Sequence, residues 1–198
     1  MSEYKGQEKT RKLTVTGMLL AITVILAYTP LGVIPLQPVS ATTTHIPTII
    51  AAILEGPITG AIIGLAFGLV SMFKAITQPT GILDPCFINP LVSVLPRICI
   101  GLVAGYVYQF VSKVNAKGGI AAVIASSLGS LTNTIGAMGI MYVIYGTKLT
   151  SQMGEAAGPV IWGIITTYGI MEMLAAVVIC TAVVTAVRKT MYRKVRVS

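Results

Sequence analysis

The chain has 198 residues, 55% of them hydrophobic and 10% charged, with a formal net charge of +8 and a mean hydropathy of +0.86. A chain of this length and apolarity is excluded from the soluble globular class, and the composition predicts an all-α integral membrane protein. The excess of positive charge does not point to nucleic acid, because it is segregated along the sequence. Lys5, Lys9, Arg11 and Lys12 precede the first apolar run, Lys113 and Lys117 lie in a short middle loop, and Arg188, Lys189, Arg193, Lys194 and Arg196 close the chain. This positive-inside pattern predicts both termini on the cytoplasmic side and therefore an even number of spans. Cys86, Cys99 and Cys180 have no metal-ligand spacing, so neither a disulfide framework nor a metal site is expected.

Apolar runs long enough for about 30 Å of hydrocarbon recur along a single domain, residues 1–198. Six transmembrane helices are expected, at approximately 13–28, 46–54, 57–74, 90–110, 120–145 and 158–187. The basic start and apolar run would suit a signal peptide, but no small-x-small cleavage site precedes Pro30, so a retained first helix is expected. Gly17 and Ala21 make a small-xxx-small pair on it, a surface against which a partner helix can pack. An outer loop follows with Pro30, Pro35, Pro38 and Pro47, and with Gln37, Ser40, Thr42, Thr43, Thr44 and His45. Its prolines disfavour a continuous helix, and Thr43 and His45 are candidates to line a site at the outer face.

The second span is short and ends at Glu55-Gly56-Pro57. The third carries Gly60, Gly64 and Gly68 at intervals of four, best explained by close helix packing. A loop with Gln78 and Asp84 then returns the chain to Asn89, which either caps the fourth span or reaches a ligand.

The fourth span contains Pro96, which should kink it, and Arg97. A charge at membrane depth is costly and marks a functional site by default. Gly101 and Gly105 share its face, so Arg97 is expected to point into protein, about 10 Å below the outer end at about 1.5 Å per residue. In the fifth span Ser126, Ser130, Asn133 and Ala137 share a face, with Asn133 about 15 Å from the outer end. Lys148 and Glu155 are expected in the next outer loop. In the sixth span Trp162, Thr166, Gly169, Glu172 and Ala176 are assigned to one face, and Glu172 is a second intramembrane charge. Together these residues predict a small polar cavity open to the outside, in which Arg97 and Glu172 form an ion pair, bind substrate, or exchange the one for the other.

The stretch HIPTIIAAILEGPITGAIIGLAFGLVSMFKA, followed by FINPLVSVLPRICIGLVAG, resembles the substrate-binding S-components of energy-coupling factor (ECF) vitamin transporters. The resemblance implies a six-helix protein of the bacterial cell membrane that binds one vitamin at its outer side. It also implies assembly with a transmembrane coupling subunit, EcfT, and two cytoplasmic ATPases, EcfA and EcfA', with release inside by toppling in the bilayer. Small residues of the first helix contact the coupling subunit in that family, often as Ala-xxx-Ala; here Gly17 and Ala21 match, with glycine departing from the pattern. SMFKAITQPTG with NPLVSVLPRI resembles the pantothenate-specific branch. On that basis Arg97 would hold a carboxylate, with Asn133 and threonines serving the polar remainder. Glu172 keeps a pyridoxine, hydroxymethylpyrimidine or cobalamin type of ligand open.

Two other classes compete. An intramembrane enzyme would need a nucleophile and base or a metal, and one histidine without paired carboxylates gives it little. A solitary oligomeric secondary transporter would be expected to show internal repeats, and none is evident. There is no GxxxxGK[ST] loop, so no cofactor is expected in this chain and ATP would be used by the partner subunits.

Overall fold

The computed structural model describes residues 2–34, 41–79, 83–114, 118–153 and 157–195. The expectations for Pro35, Gln37, Pro38, Ser40, Lys117, Glu155 and Arg196 lie outside them, as do those for the side chains of Lys5, Arg193 and Lys194. Helix α1 (Ser2–Ala27) is followed by a two-residue antiparallel ladder, β1 (Val33–Ile34) and β2 (Ala41–Thr42), pairing Val33 with Thr42 and Ile34 with Ala41. Helices α2 (Ile46–Glu55), α3 (Pro57–Thr77), α4 (Pro90–Ser93), α5 (Leu95–Val114), α6 (Gly118–Met153) and α7 (Ala157–Val195) complete the bundle, with a short 3-10 helix (Asp84–Ile88) before α4.

Among the described residues five segments are long and apolar enough to cross a membrane: Lys9–Ala27, Pro57–Thr77, Pro90–Val114, Gly118–Ser151 and Gly158–Thr190. The helix expected second is α2, whose ten residues reach about 15 Å, half of the hydrocarbon thickness. Its N-terminal end is covered by the β1–β2 segment: Thr44 and His45 just before it are inaccessible, and Thr44 donates to the Gly32 carbonyl. Gly56, with φ of 100°, makes the abrupt turn from α2 into α3. A side chain there would be strained, and Pro57 then supplies the fixed φ of a helix start.

The glycine repeat of α3 serves close approach. A Cβ on Gly64 would lie 2.1 Å from the Arg97 carbonyl oxygen, one on Gly101 would meet Gly60 at the same distance, and one on Gly68 would strike Val94. Helices α3 and α5 therefore pack backbone against backbone, and Ser93 donates to the Gly68 carbonyl at 3.0 Å. The exterior is apolar: Leu69, Phe73, Leu91, Phe110, Val143, Met171 and Val178 are all exposed, as a lipid-facing surface requires.

Helices α6 and α7 extend well beyond the expected spans. Lys148 thus belongs to α6, not to a loop, and the C-terminal end of α6 packs against the N-terminal end of α7 through Leu149, Ile161 and Ile164. Nothing in this stretch breaks a helix, and its apolar positions continue the helical period. The core has two clusters. One, around Ile49, Ile100, Ala104, Ala125, Cys180 and Val184, lies toward the end where Arg11 meets Glu55 at 3.6 Å. The other, around Leu83, Phe87, Val92, Met138, Met141 and Ile164, lies toward the opposite end.

Candidate functional site

Between the two apolar clusters the described residues line a cavity, largely apolar in surface with a few polar side chains set into it, in which the centres of water-sized molecules can occupy about 100 Å³. This is room for a small polar solute in the bundle's own interior. Its walls come from the end of α1, the Thr42–Thr44 segment, the second half of α3, the 3-10 helix with Asp84 and Phe87, the start of α5, the middle of α6 and the first half of α7.

Arg97 is the central side chain, and the residue before it explains its pose. Pro96 has no N–H, so the Val92 carbonyl four residues earlier loses its helical partner. The helix is interrupted at Val94, between α4 and α5, and the Arg97 guanidinium takes the missing donor's place, Nη1 to the Val92 oxygen at 2.8 Å. Phe67 and Phe87 complete the cradle, with ring centroids 5.5 Å and 5.1 Å from the guanidinium carbon. Aromatic faces stabilise a desolvated cation. Arg97 is 5% exposed, and its Nε is buried without a hydrogen-bond partner. One edge of the guanidinium is therefore fixed by protein while donor capacity remains.

Asn133 and Glu172 line the same cavity. The Asn133 amide oxygen Oδ1 is buried without a partner, a vacant acceptor at the level of the vacant donor. Glu172 is differently placed: Oε1 accepts from the Thr42 backbone N–H at 2.5 Å and Oε2 from the Thr134 hydroxyl at 3.2 Å. It fixes the segment before α2 onto α7 and leaves its remaining lone pairs to the cavity. Among the described residues no direct ion pair joins it to Arg97; they interact across the cavity.

Other expected site residues fall elsewhere. Trp162 is 67% exposed and Thr166 is exposed, its hydroxyl donating to the carbonyl of Trp162; neither lines the cavity. The shared face assigned to α7 holds from Gly169 to Ala176 but not above it. Thr166 and Glu172 are six residues apart, which at 3.6 residues per turn places them about 120° apart. Asn89 is the N-cap of α4, accepting from the Leu91 N–H at 3.0 Å while its amide contacts the Tyr145 hydroxyl. Thr43 donates to the Leu31 carbonyl. His45 is fully buried at the start of α2, feels the charge of Arg97, and stands behind the lining. Gly17 and Ala21 are exposed on α1, and Gly17 has no neighbour where a Cβ would stand.

The structure adds residues that the sequence reading passed over. Ile164 and Tyr168 line the cavity with Glu172, and their spacing of four identifies the true inner stripe of α7. Phe67, Ser71 and Lys74 form the corresponding stripe of α3, continued by its C-cap Gln78, with Lys74 donating to the Ala27 carbonyl at 2.8 Å and closing α3 onto the end of α1. Phe87 carries no signal of its own in sequence, because the loop that contains it shows no period.

The sequence model of a family described as "ECF transporter, substrate-specific component" matches residues 11–186. Two curated relatives align over nearly their whole length. One is the pantothenic acid transporter PanT of Lactococcus lactis subsp. cremoris, 28% identical over 199 residues, covering 92% of this chain and 96% of the relative. The other is the pantothenate transporter PanT of Leuconostoc mesenteroides subsp. mesenteroides, 28% identical over 189 residues, covering 90% and 92%.

Proposed function

The chain belongs to the substrate-specific components of ECF transporters, multi-pass membrane proteins that bind a solute and are not themselves enzymes, and we propose that the solute here is pantothenate. The observation that carries this reading is Arg97, a buried guanidinium held by its own helix and two aromatic rings with Nε unpartnered. A buried donor without a partner costs about 1–3 kcal/mol, which a carboxylate recovers on binding. Charge-assisted hydrogen bonds from a preorganised guanidinium are the strong kind and favour a planar two-oxygen acceptor. Pantothenate supplies that carboxylate, and its amide N–H and hydroxyls are donors for the vacant Asn133 Oδ1 and for the open lone pairs of Glu172. Pantothenate leaves Glu172 paired with hydroxyl or amide donors, so the carboxylate need not meet it. The modest cavity supports a ligand of this size over one of the cobalamin type.

The wider reading has both termini in the cytoplasm and the cavity facing outward, in keeping with the segregated lysines and arginines. The chain then delivers its vitamin with EcfT and the ATPases EcfA and EcfA', engaging EcfT through the exposed Gly17–Ala21 face of α1. Calorimetry of the purified protein against pantothenate, pyridoxine and hydroxymethylpyrimidine tests the substrate. Saturable binding of pantothenate alone is expected; binding of one of the others in its place overturns the assignment.

A further inference from the structure

A second crevice lies at the opposite end of the bundle, between the α2–α3 turn and the last turns of α5. Tyr108 and Ser112 form part of its wall one helical turn apart, and both hydroxyls are buried without a hydrogen-bond partner. Tyr108 is 6% exposed, and the Arg188 guanidinium sits over its ring, 5.3 Å from the centroid. Gln109 and Lys113 are on the same wall, and Glu55 opposite them is paired with Arg11. The crevice thus gathers hydroxyl, amide and ammonium donors, with its one carboxylate already neutralised.

Unsatisfied buried polar groups are rare in native proteins and call for an occupant. A phosphate group fits this one, since its oxygens accept several hydrogen bonds at once and its charge suits Lys113 on the wall. Continuity with the lipid-facing surface says what carries the phosphate. Tyr106, Phe110 and Val114 run along α5 beside the crevice at intervals of four, all strongly exposed and apolar. An acyl chain lying on that stripe brings a headgroup to Lys113, at the edge of the crevice that the stripe borders. We propose that this crevice binds the phosphate of an anionic phospholipid in the leaflet that faces the chain termini.

The test uses the full chain in nanodiscs of phosphatidylcholine with phosphatidylglycerol, with native mass spectrometry to count the lipid retained. The wild type should hold one phosphatidylglycerol, and the Tyr108→Phe, Ser112→Ala, Lys113→Gln variant should hold it at least about tenfold less well, the loss expected for a few charge-assisted contacts. Equal retention overturns the proposal. Lys113→Gln alone, with an unchanged unfolding temperature, should reproduce part of the loss if the triple variant folds poorly; no loss in that variant is equally contrary. Inorganic phosphate serves as the competing source: if it raises the unfolding temperature of the wild type but not of the variants while no lipid is retained, the crevice binds free phosphate and the lipid assignment is wrong.

Discussion

The pairing of Pro96 with Arg97 joins backbone chemistry to recognition. Proline frees the Val92 carbonyl, and the next residue's guanidinium returns to satisfy it, so the feature that interrupts the helix also orients the charge. Pro96→Ala restores an N–H that competes for the Val92 carbonyl. Its expected outcome is a protein of equal or higher unfolding temperature whose pantothenate affinity falls about three- to tenfold, because Arg97 loses its fixed pose. Arg97→Lys keeps the charge but not the fork, and calorimetry should show at least about a tenfold loss; Arg97→Ala should lose about a hundredfold or more. Trp162→Phe should leave affinity unchanged, since Trp162 faces outward, so its fluorescence is a poor reporter of binding. At this scale the sequence exposes Arg97, Asn133 and Glu172, whose polarity stands out within apolar runs. It hides the support around them: Phe67 and Phe87 meet Arg97 from different elements, and an aromatic residue in a membrane helix is otherwise unremarkable.

Among the elements, α3 and α5 set the geometry of the site through glycine. Gly64 lies against the Arg97 backbone, so Gly64→Ala must push α5 outward. Overpacking of this kind costs about 1–3 kcal/mol; a lower unfolding temperature together with weaker pantothenate binding is expected, whereas a loss of stability with unchanged affinity would separate the interface from the site. Gly17 contrasts with it, having open space around its Cβ position. Gly17→Leu should leave unfolding and vitamin binding intact while reducing co-purification with the coupling subunit. The all-helical class and the packing role of the α3 glycines were legible from composition and spacing. The rotation of α7 was not: steps of three and four suggest one face, whereas two successive steps of three move a residue about 120° around the axis. The continuation of α6 to Met153 is hidden for a different reason, since polar residues in the expected loop suggest an end where helical packing in fact continues.

For the whole molecule, two apolar clusters bracket one polar layer, with a second polar crevice near the chain termini. Such a body presents hydrocarbon-compatible side chains on its flanks and keeps its charges inside or at the ends, which suits a membrane subunit that binds a solute in its interior. The central claim concerns the cavity, that Arg97 recognises a carboxylate. Competition calorimetry between pantothenate and its alcohol analogue, in which a CH₂OH group replaces the carboxylate, tests it most directly because the two ligands are otherwise alike. The account predicts that pantothenate binds at least about a hundredfold more tightly, the worth of a buried charge-assisted pair, and that Arg97→Ala removes most of the difference. Equal affinity of the two ligands for the wild type would contradict it.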